Sequence, residues 1–227
     1  MVLLSVTEAR ARILSQFKPV ASETISLIKS ANRILAMDIV AADDLPLFDN
    51  SSMDGFALRA VDSSNAATAS PLTLSVVADI PAGSHPTISL APGEAARIMT
   101  GAQLPAGADS VVPVEDTDFN NRDAGSKAPT QVQISQPLKS GENVRSRGMD
   151  VRAGDAVLHK GHRISPQTAG ILAMLGFSNI EVHKKPRVAL LSSGDELLEV
   201  NAPLESGKIR DSNSYMLAAL IESTHAE

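Results

Sequence analysis

The stretch Pro46-Leu47-Phe48-Asp49-Asn50-Ser51-Ser52-Met53-Asp54-Gly55-Phe56-Ala57 gathers carboxylates where sequence offers them no cation. Asp43 and Asp44 precede it, and the next basic residue is Arg59. Carboxylates this close repel one another unless water, a distant base or a metal ion screens them. Asn, Ser, Asp and Gly favour turns, and Asp54-Gly55 is a turn dipeptide. Phe48, Met53 and Phe56 are expected to pin the loop to a core. An anchored loop that presents acids suits a hard cation such as Mg2+. Asx-turns or helix caps closed by Asp49 and Asp54 would use the same residues without any ligand.

Two further stretches carry chemistry. Gly141 to Asp150 places Arg145 and Arg147 just before Asp150. Two guanidinium groups and an acid can bind and orient a phosphate; mutual ion pairs on a surface loop are the simpler account. Ser192-Ser193-Gly194-Asp195-Glu196 follows the apolar run Val188 to Leu191. Such a run reads as a strand buried on both faces of a parallel sheet, and ligands bind at the carboxyl ends of such strands. His159 and His162 flank a Gly161 turn, but no third ligand lies nearby, so exposed histidines are expected rather than a metal pair.

The elements that must position these groups follow from periodicity. Ser5-Val6-Thr7-Glu8 is a capping box for a helix whose Val6, Ala9, Ile13, Leu14 and Phe17 share a face, with Pro19 ending it. A short element near 25–34 and a strand over 33–40 lead into the acidic loop. From Asp62 to about Pro137, Ser, Thr, Ala, Gly and Pro become frequent, and strands are expected over 72–78, 96–99, 110–114 and 131–135. Asn120 to Gly125 reads as an exposed hairpin tip. Residues 151–164 read as a hairpin turning at Gly154 and Gly161. Ser165-Pro166 opens a helix carrying Ile171, Leu172 and Leu175 and closed by Gly176. A strand over 179–183 follows. A last helix is expected from Asp211 or Ser212, with Leu217, Leu220 and Ile221 on one side.

Composition narrows the function classes. The 227 residues suit one large or two modest domains, with 43% hydrophobic residues and only 3% aromatic ones, so Leu, Ile, Val and Ala must build the core. A net charge of −6 argues against a general nucleic-acid or anionic-membrane surface. Without cysteine there is no disulfide, thiolate nucleophile or Cys-metal site. No apolar run reaches membrane-spanning length, and Met1 to Leu4 is too short for a signal segment, so a cytoplasmic protein is expected.

Several stretches together resemble the MoeA family. Phe48 to Ala57 is similar to its Asp-Asn-Ser-Ala-Met-Asp-Gly-Tyr-Ala signature. Arg97-Ile98-Met99-Thr100-Gly101-Ala102, with Pro105 and Gly107-Ala108-Asp109, resembles its second signature. Gly141 to Asp150, Arg152 to Asp155, Ser192 to Leu197 and Asp211-Ser212-Asn213 continue the match in order, from about Ser5 to Ile221. The resemblance implies a multi-domain α/β plus β architecture: β-rich N-terminal domains with an incomplete parallel, molybdopterin-binding-like α/β domain. Residues 1–20 would be a helix associated with the α/β domain. Residues 21–45 and 140–182 would form a discontinuous domain I, 46–139 a β-rich domain II, and 183–227 the start of the α/β domain.

The resemblance further implies a molybdopterin molybdenumtransferase that inserts molybdate into adenylylated molybdopterin, releases AMP and requires Mg2+. It implies a homodimer whose site lies between the α/β domain of one subunit and the acidic loops of the other. On that reading Asp54, Thr100, Asp150 and Glu196 are catalytic. Asp49, Ser51, Arg145, Arg147, Ser193, Gly194 and Asp195 bind substrate, and Asp54, Asp195 and Glu196 hold the metal. Ser52 and Phe56 replace the commoner Ala and Tyr. The family's Gly-Gly loop that cradles the pterin phosphate and its C-terminal β domain have no counterpart in the 227 residues. One parallel strand and one helix do not complete a sheet, so a fragment, or a chain completed by another copy, is expected. A non-catalytic dimerisation or scaffold module of the same family is the alternative reading. A third is an unrelated metal-dependent hydrolase using the same acids.

Overall fold

Strands outnumber helices, as the β-branched and turn-rich composition requires. The computed structural model describes residues 4–120 and 125–227. In chain order the elements are α1 (Val6–Leu14), β1 (Ser22–Ser26), β2 (Ile39–Val40), β3 (Asn50–Ser51), β4 (Gly55–Leu58) and β5 (Leu72–Ile80). They continue with β6 (Glu94–Ile98), β7 (Ser110–Pro113), β8 (Gln131–Ile134), β9 (Val144–Arg145), β10 (Ala156–Leu158) and α2 (Pro166–Met174). The last are β11 (Asn179–His183), β12 (Leu197–Leu198), β13 (Ile209–Arg210) and α3 (Asn213–Ser223). The chain divides into two compact units, Val40–Asp155 and the flanking Met1–Ile39 with Ala156–Glu227. Most of the expected hairpin tip, residues 121–124, lies outside the described residues.

The Val40–Asp155 unit is built on a five-stranded sheet in the order β7-β4-β6-β5-β8. Only the β5–β6 pair is parallel. β4 is buried along its whole length because both sheet faces are covered. Its alternation sends Phe56 and Leu58 to one cluster, with Leu74, Val112, Val132 and Ile134. Ala57 goes to the other cluster, with Ile80, Ala96, Ile98 and Val111. Phe56 is fully buried and meets Phe119 edge-to-face at 6.0 Å; burying such a ring is worth roughly 2–3 kcal/mol. Gly55 opens β4 because a Cβ there would lie 1.9 Å from the Val112 carbonyl oxygen.

The other unit centres on Leu35, Ile39, Ile164, Leu172, Ile180 and Val182. β1 and β11 pair antiparallel over five residues, Ser22–Ser26 against Asn179–His183. α2 starts as its sequence predicts: the Ser165 side chain accepts from the Thr168 N–H, Pro166 follows, and Gly176 takes a left-handed φ of 86° just past the end. α1 likewise has its capping box, Ser5 with Glu8.

Three expectations are corrected, and the apolar side of one expected helix is found exposed. The strand over 33–40 is reduced to β2, with single bridges at Ile34 and Leu35. Residues 151–164 do not fold as a hairpin, since Val151 bridges Leu45 and Arg163 bridges Ile34. Among the described residues nothing covers the apolar side of α1: none of its residues is buried, and Phe17 beyond it is 72% exposed. The run Val188 to Leu191 forms no strand, and Leu191 is 92% exposed. A strand's faces are buried by neighbours, and among the described residues none flanks this run. The parallel pairing found in the C-terminal segment is the short β12–β13 pair, followed by α3, none of whose residues is buried.

Candidate active site

The acidic loop is held at the sheet margin by hydrogen bonds more than by its apolar residues. Phe56 is buried, whereas Phe48 and Met53 are each 37% exposed. β3 pairs antiparallel with β9, setting Asn50 against Arg145 and Ser51 against Val144. On its other side Ser51 exchanges backbone bonds with Gly101 and Ala102, donating to the Ala102 carbonyl at 3.1 Å and accepting from the Gly101 N–H at 2.8 Å. The Ser51 hydroxyl turns inward and donates to the Met53 carbonyl at 2.5 Å. Asn143, at φ 57°, reaches across with its side-chain amide to the Val111 carbonyl at 2.9 Å, while its own carbonyl accepts from Ser52.

This framework presents Asp54. Its Oδ1 accepts from both the backbone N–H and the hydroxyl of Thr100, at 2.8 and 2.7 Å. Its backbone carbonyl accepts from the Val114 N–H at 3.0 Å. Thr100 therefore orients the Asp54 carboxylate through two donors on one residue. Both side chains are exposed, so the pair faces solvent and can reach a ligand.

Asp49 and the arginine stretch join in the same unit. The Asp49 carboxylate accepts from the Arg147 N–H at 2.7 Å, and the Arg147 Nε donates to Asp44 at 2.6 Å. The other Asp44 oxygen accepts from the Ala153 N–H at 2.9 Å. That backbone donor first, and Arg147 second, hold the Asp44 carboxyl below the ordinary carboxylate range against the opposing effect of burial. Arg145 pairs with Asp150. The base missing from the local sequence of the acidic loop is thus Arg147, about a hundred residues downstream. Asp44 is the residue sequence reasoning missed; its only signal was its place among the unpartnered acids.

Ser193, Gly194, Asp195 and Glu196 lie in the other unit. Ser193 and Gly194 line a cleft of about 560 Å³ together with Leu190, Ser192, Asp211 and Tyr215. Asp195 and Glu196 are exposed. The Glu196 carboxylate folds back over Gly194, where an added Cβ would sit 2.6 Å from Oε2. Asp211 accepts from the Ser214 hydroxyl at 2.5 Å and from the Ser214 N–H at 3.0 Å, which caps α3. Those bonds, with lesser help from Ser192 and Asn213, hold the Asp211 carboxyl below its ordinary range. Among the described residues no group of three or more His, Asp or Glu stands close enough to hold a metal ion, and no helix is long and apolar enough to cross a membrane.

Residues 4–176 match the model of the MoeA N-terminal region, domains I and II. The chain belongs to the MoeA family. Its curated relatives include the molybdopterin molybdenumtransferase of Staphylococcus aureus (strain Mu50), 42% identical over 224 residues, which span 99% of this chain and 52% of that protein. The enzyme of the same name from Staphylococcus epidermidis (strain RP62A) is 42% identical over 96% of this chain and 50% of its own length. This MoeA-family chain therefore spans about half the length of the curated relatives it matches. A crystal structure of the molybdopterin biosynthesis MoeA protein from Pyrococcus horikoshii OT3 superposes with a TM-score of 0.87 at 32% identity, over all of this chain and 58% of that one. The MoeA match runs through both the Asp54 loop and the Thr100 turn, the two segments joined by the Asp54–Thr100 bonds.

Proposed function

We propose that this chain acts in molybdenum cofactor biosynthesis, as the N-terminal half of a molybdopterin molybdenumtransferase that inserts molybdate into adenylylated molybdopterin with release of AMP. The observation that carries this reading is the double hydrogen bond from Thr100 to Asp54, which links two family signatures into one solvent-facing acid. Asp54 and Thr100 of one copy would act with Asp195 and Glu196 of a second in a cytoplasmic homodimer. Thr100 keeps the Asp54 carboxylate in a single orientation. Asp49, Arg147 and Asp44 keep the loop closed from behind, and Ser51 fixes the backbone turn leading to Asp54.

Asp54, Asp195 and Glu196 offer the hard oxygen donors that Mg2+ takes. One or two such carboxylates suffice, because substrate phosphates and water complete its shell. When bound, the ion would neutralise charge on the adenylyl phosphates. Asp150 and Arg145 would orient the anionic substrate near the loop, and Ser193 and Gly194 would contact the pterin part.

The test is incubation with adenylylated molybdopterin, Mg2+ and molybdate, with AMP followed by chromatography. Molybdate-dependent AMP release, from this chain or from a form extended at its C-terminus, supports the reading. Molybdate-independent cleavage of other phosphate esters would instead identify a metal-dependent hydrolase. A second reading, a dimerising scaffold without turnover, is favoured by the uncovered apolar side of α1. It predicts a stable dimer by light scattering and no AMP at either length.

A further inference from the structure

A basic pocket within the unit formed by Met1–Ile39 and Ala156–Glu227 belongs to none of the groups above. It measures about 250 Å³ and is lined by Arg33, Arg163, His183, Lys184, Lys185 and the end of α3 at Ser223 to His225, with no carboxylate among its lining residues. That concentration of positive charge stands out in a chain with a net charge of −6.

The pocket is built on paired backbone. Asn32 donates to the Ile164 carbonyl at 2.8 Å, Ile164 donates back to the Arg33 carbonyl at 2.8 Å, and His183 donates to the Ile34 carbonyl at 2.8 Å. The end of α3 is tied to the same wall, since Glu227 donates to the Pro186 carbonyl at 2.8 Å. The Arg33 side chain is only 12% exposed and is fixed by Glu23 and by the His183 carbonyl at 2.8 Å. Lys185 has a long contact of 3.9 Å to Glu227, and ion pairs of that kind at a surface contribute little. Arg163 and Lys184 are exposed and make no ion pair among the described residues.

The carboxyl end of a helix ordinarily repels anions. Here the hydroxyls of Ser223 and Thr224 donate to the Leu220 and Ile221 carbonyls at 2.7 Å each, which covers two of the exposed oxygens. The volume, about 250 Å³, lies below the roughly 300 Å³ at which sites for drug-sized ligands typically begin, and suits a small oxyanion.

We propose that this pocket binds a phosphate or diphosphate group, with Arg163 and Lys184 as its main ligands. Arg163 supplies a planar fork of donors and Lys184 a compact point charge, the pairing that suits a tetrahedral oxyanion.

Isothermal titration calorimetry with inorganic phosphate and with pyrophosphate tests this, against a potassium chloride control of matched ionic strength. Saturable binding with a Kd of about 1 mM or tighter is expected, weakening as salt rises. The double variant Arg163→Ala/Lys184→Ala, both side chains being exposed, should keep its circular dichroism and bind at least about tenfold more weakly. Asp54→Asn should bind as the parent does, so that failure of the molybdenum reading and failure of this one are told apart. No saturable heat with either anion would overturn the proposal, as would a double variant that binds as tightly as the parent.

Discussion

Replacing Gly55 by Ala perturbs the strand that carries Asp54 at a point where the structure leaves no room. The added Cβ would lie 1.9 Å from the Val112 carbonyl oxygen, where real Cβ contacts are essentially never under 3.0 Å, and 3.1 Å from the Pro113 Cα. The obstacle is backbone in β7, so β4 and β7 must part by about 1 Å. That movement strains the ladder pairing Gly55 with Pro113 and Phe56 with Val112, and it pulls on the 3.0 Å bond from Val114 N–H to the Asp54 carbonyl. Overpacking a core costs about 1–3 kcal/mol, and an unmade buried backbone bond about 1–3 more, giving roughly 2–6 kcal/mol in all. For a chain of this size that corresponds to a Tm lower by on the order of 10 °C. Urea and thermal unfolding followed by far-UV circular dichroism measure it. Gly170→Ala is the internal control: its Cβ meets nothing within 4 Å in the middle of α2, so it should stabilise by about 0.5–1 kcal/mol. A Gly55→Ala protein within about 0.5 kcal/mol of the parent would refute the reasoning.

Three other expectations can be checked with the same material. Asp44 has a depressed carboxyl pKa; its contribution is therefore fully present above the unfolded value of about 3.9 and is lost as pH falls through the lower folded value. Asp44→Asn should flatten that acid-side loss in a pH series of urea midpoints, and an unchanged profile would remove Asp44 from the clasp. Ser165→Ala deletes the cap of α2 and should cost about 1 kcal/mol, read as a shifted urea midpoint with an unchanged m-value. Thr100→Val removes the hydroxyl donor to Asp54 but keeps the N–H; AMP release should fall about tenfold while the fold is retained, and an unchanged rate would make the hydroxyl incidental.

Local chemistry was well written in the sequence. The Ser5–Glu8 capping box, the Ser165-Pro166 start and four strands of the five-stranded sheet each depend on neighbours a few residues away, and they formed within a few residues of expectation; the fifth strand, Gly55–Leu58, had read as part of the acidic loop. What joins distant segments was not legible. Nothing in the spacing shows that Thr100 donates twice to Asp54, or that Arg147 spans Asp49 and Asp44. Such pairs are set by how β3 docks between β9 and the Gly101 turn, which is a tertiary outcome. Gly55 read as half of a turn dipeptide, yet its need is for space beside Val112. The run Val188 to Leu191 misled because apolar continuity reports a preference for burial, and burial requires neighbouring strands to supply it.

The central claim is that Asp54 of one copy serves the same site as Glu196 of another, and subunit mixing tests it most directly. Asp54→Asn and Glu196→Gln proteins, each inactive alone, are prepared in the shortest form that releases AMP, then dissociated together and reassociated. If the site is shared between copies, half the dimers carry one intact site, and AMP release should return to about a quarter of the parent rate. A mixture as inactive as its components would contradict the claim.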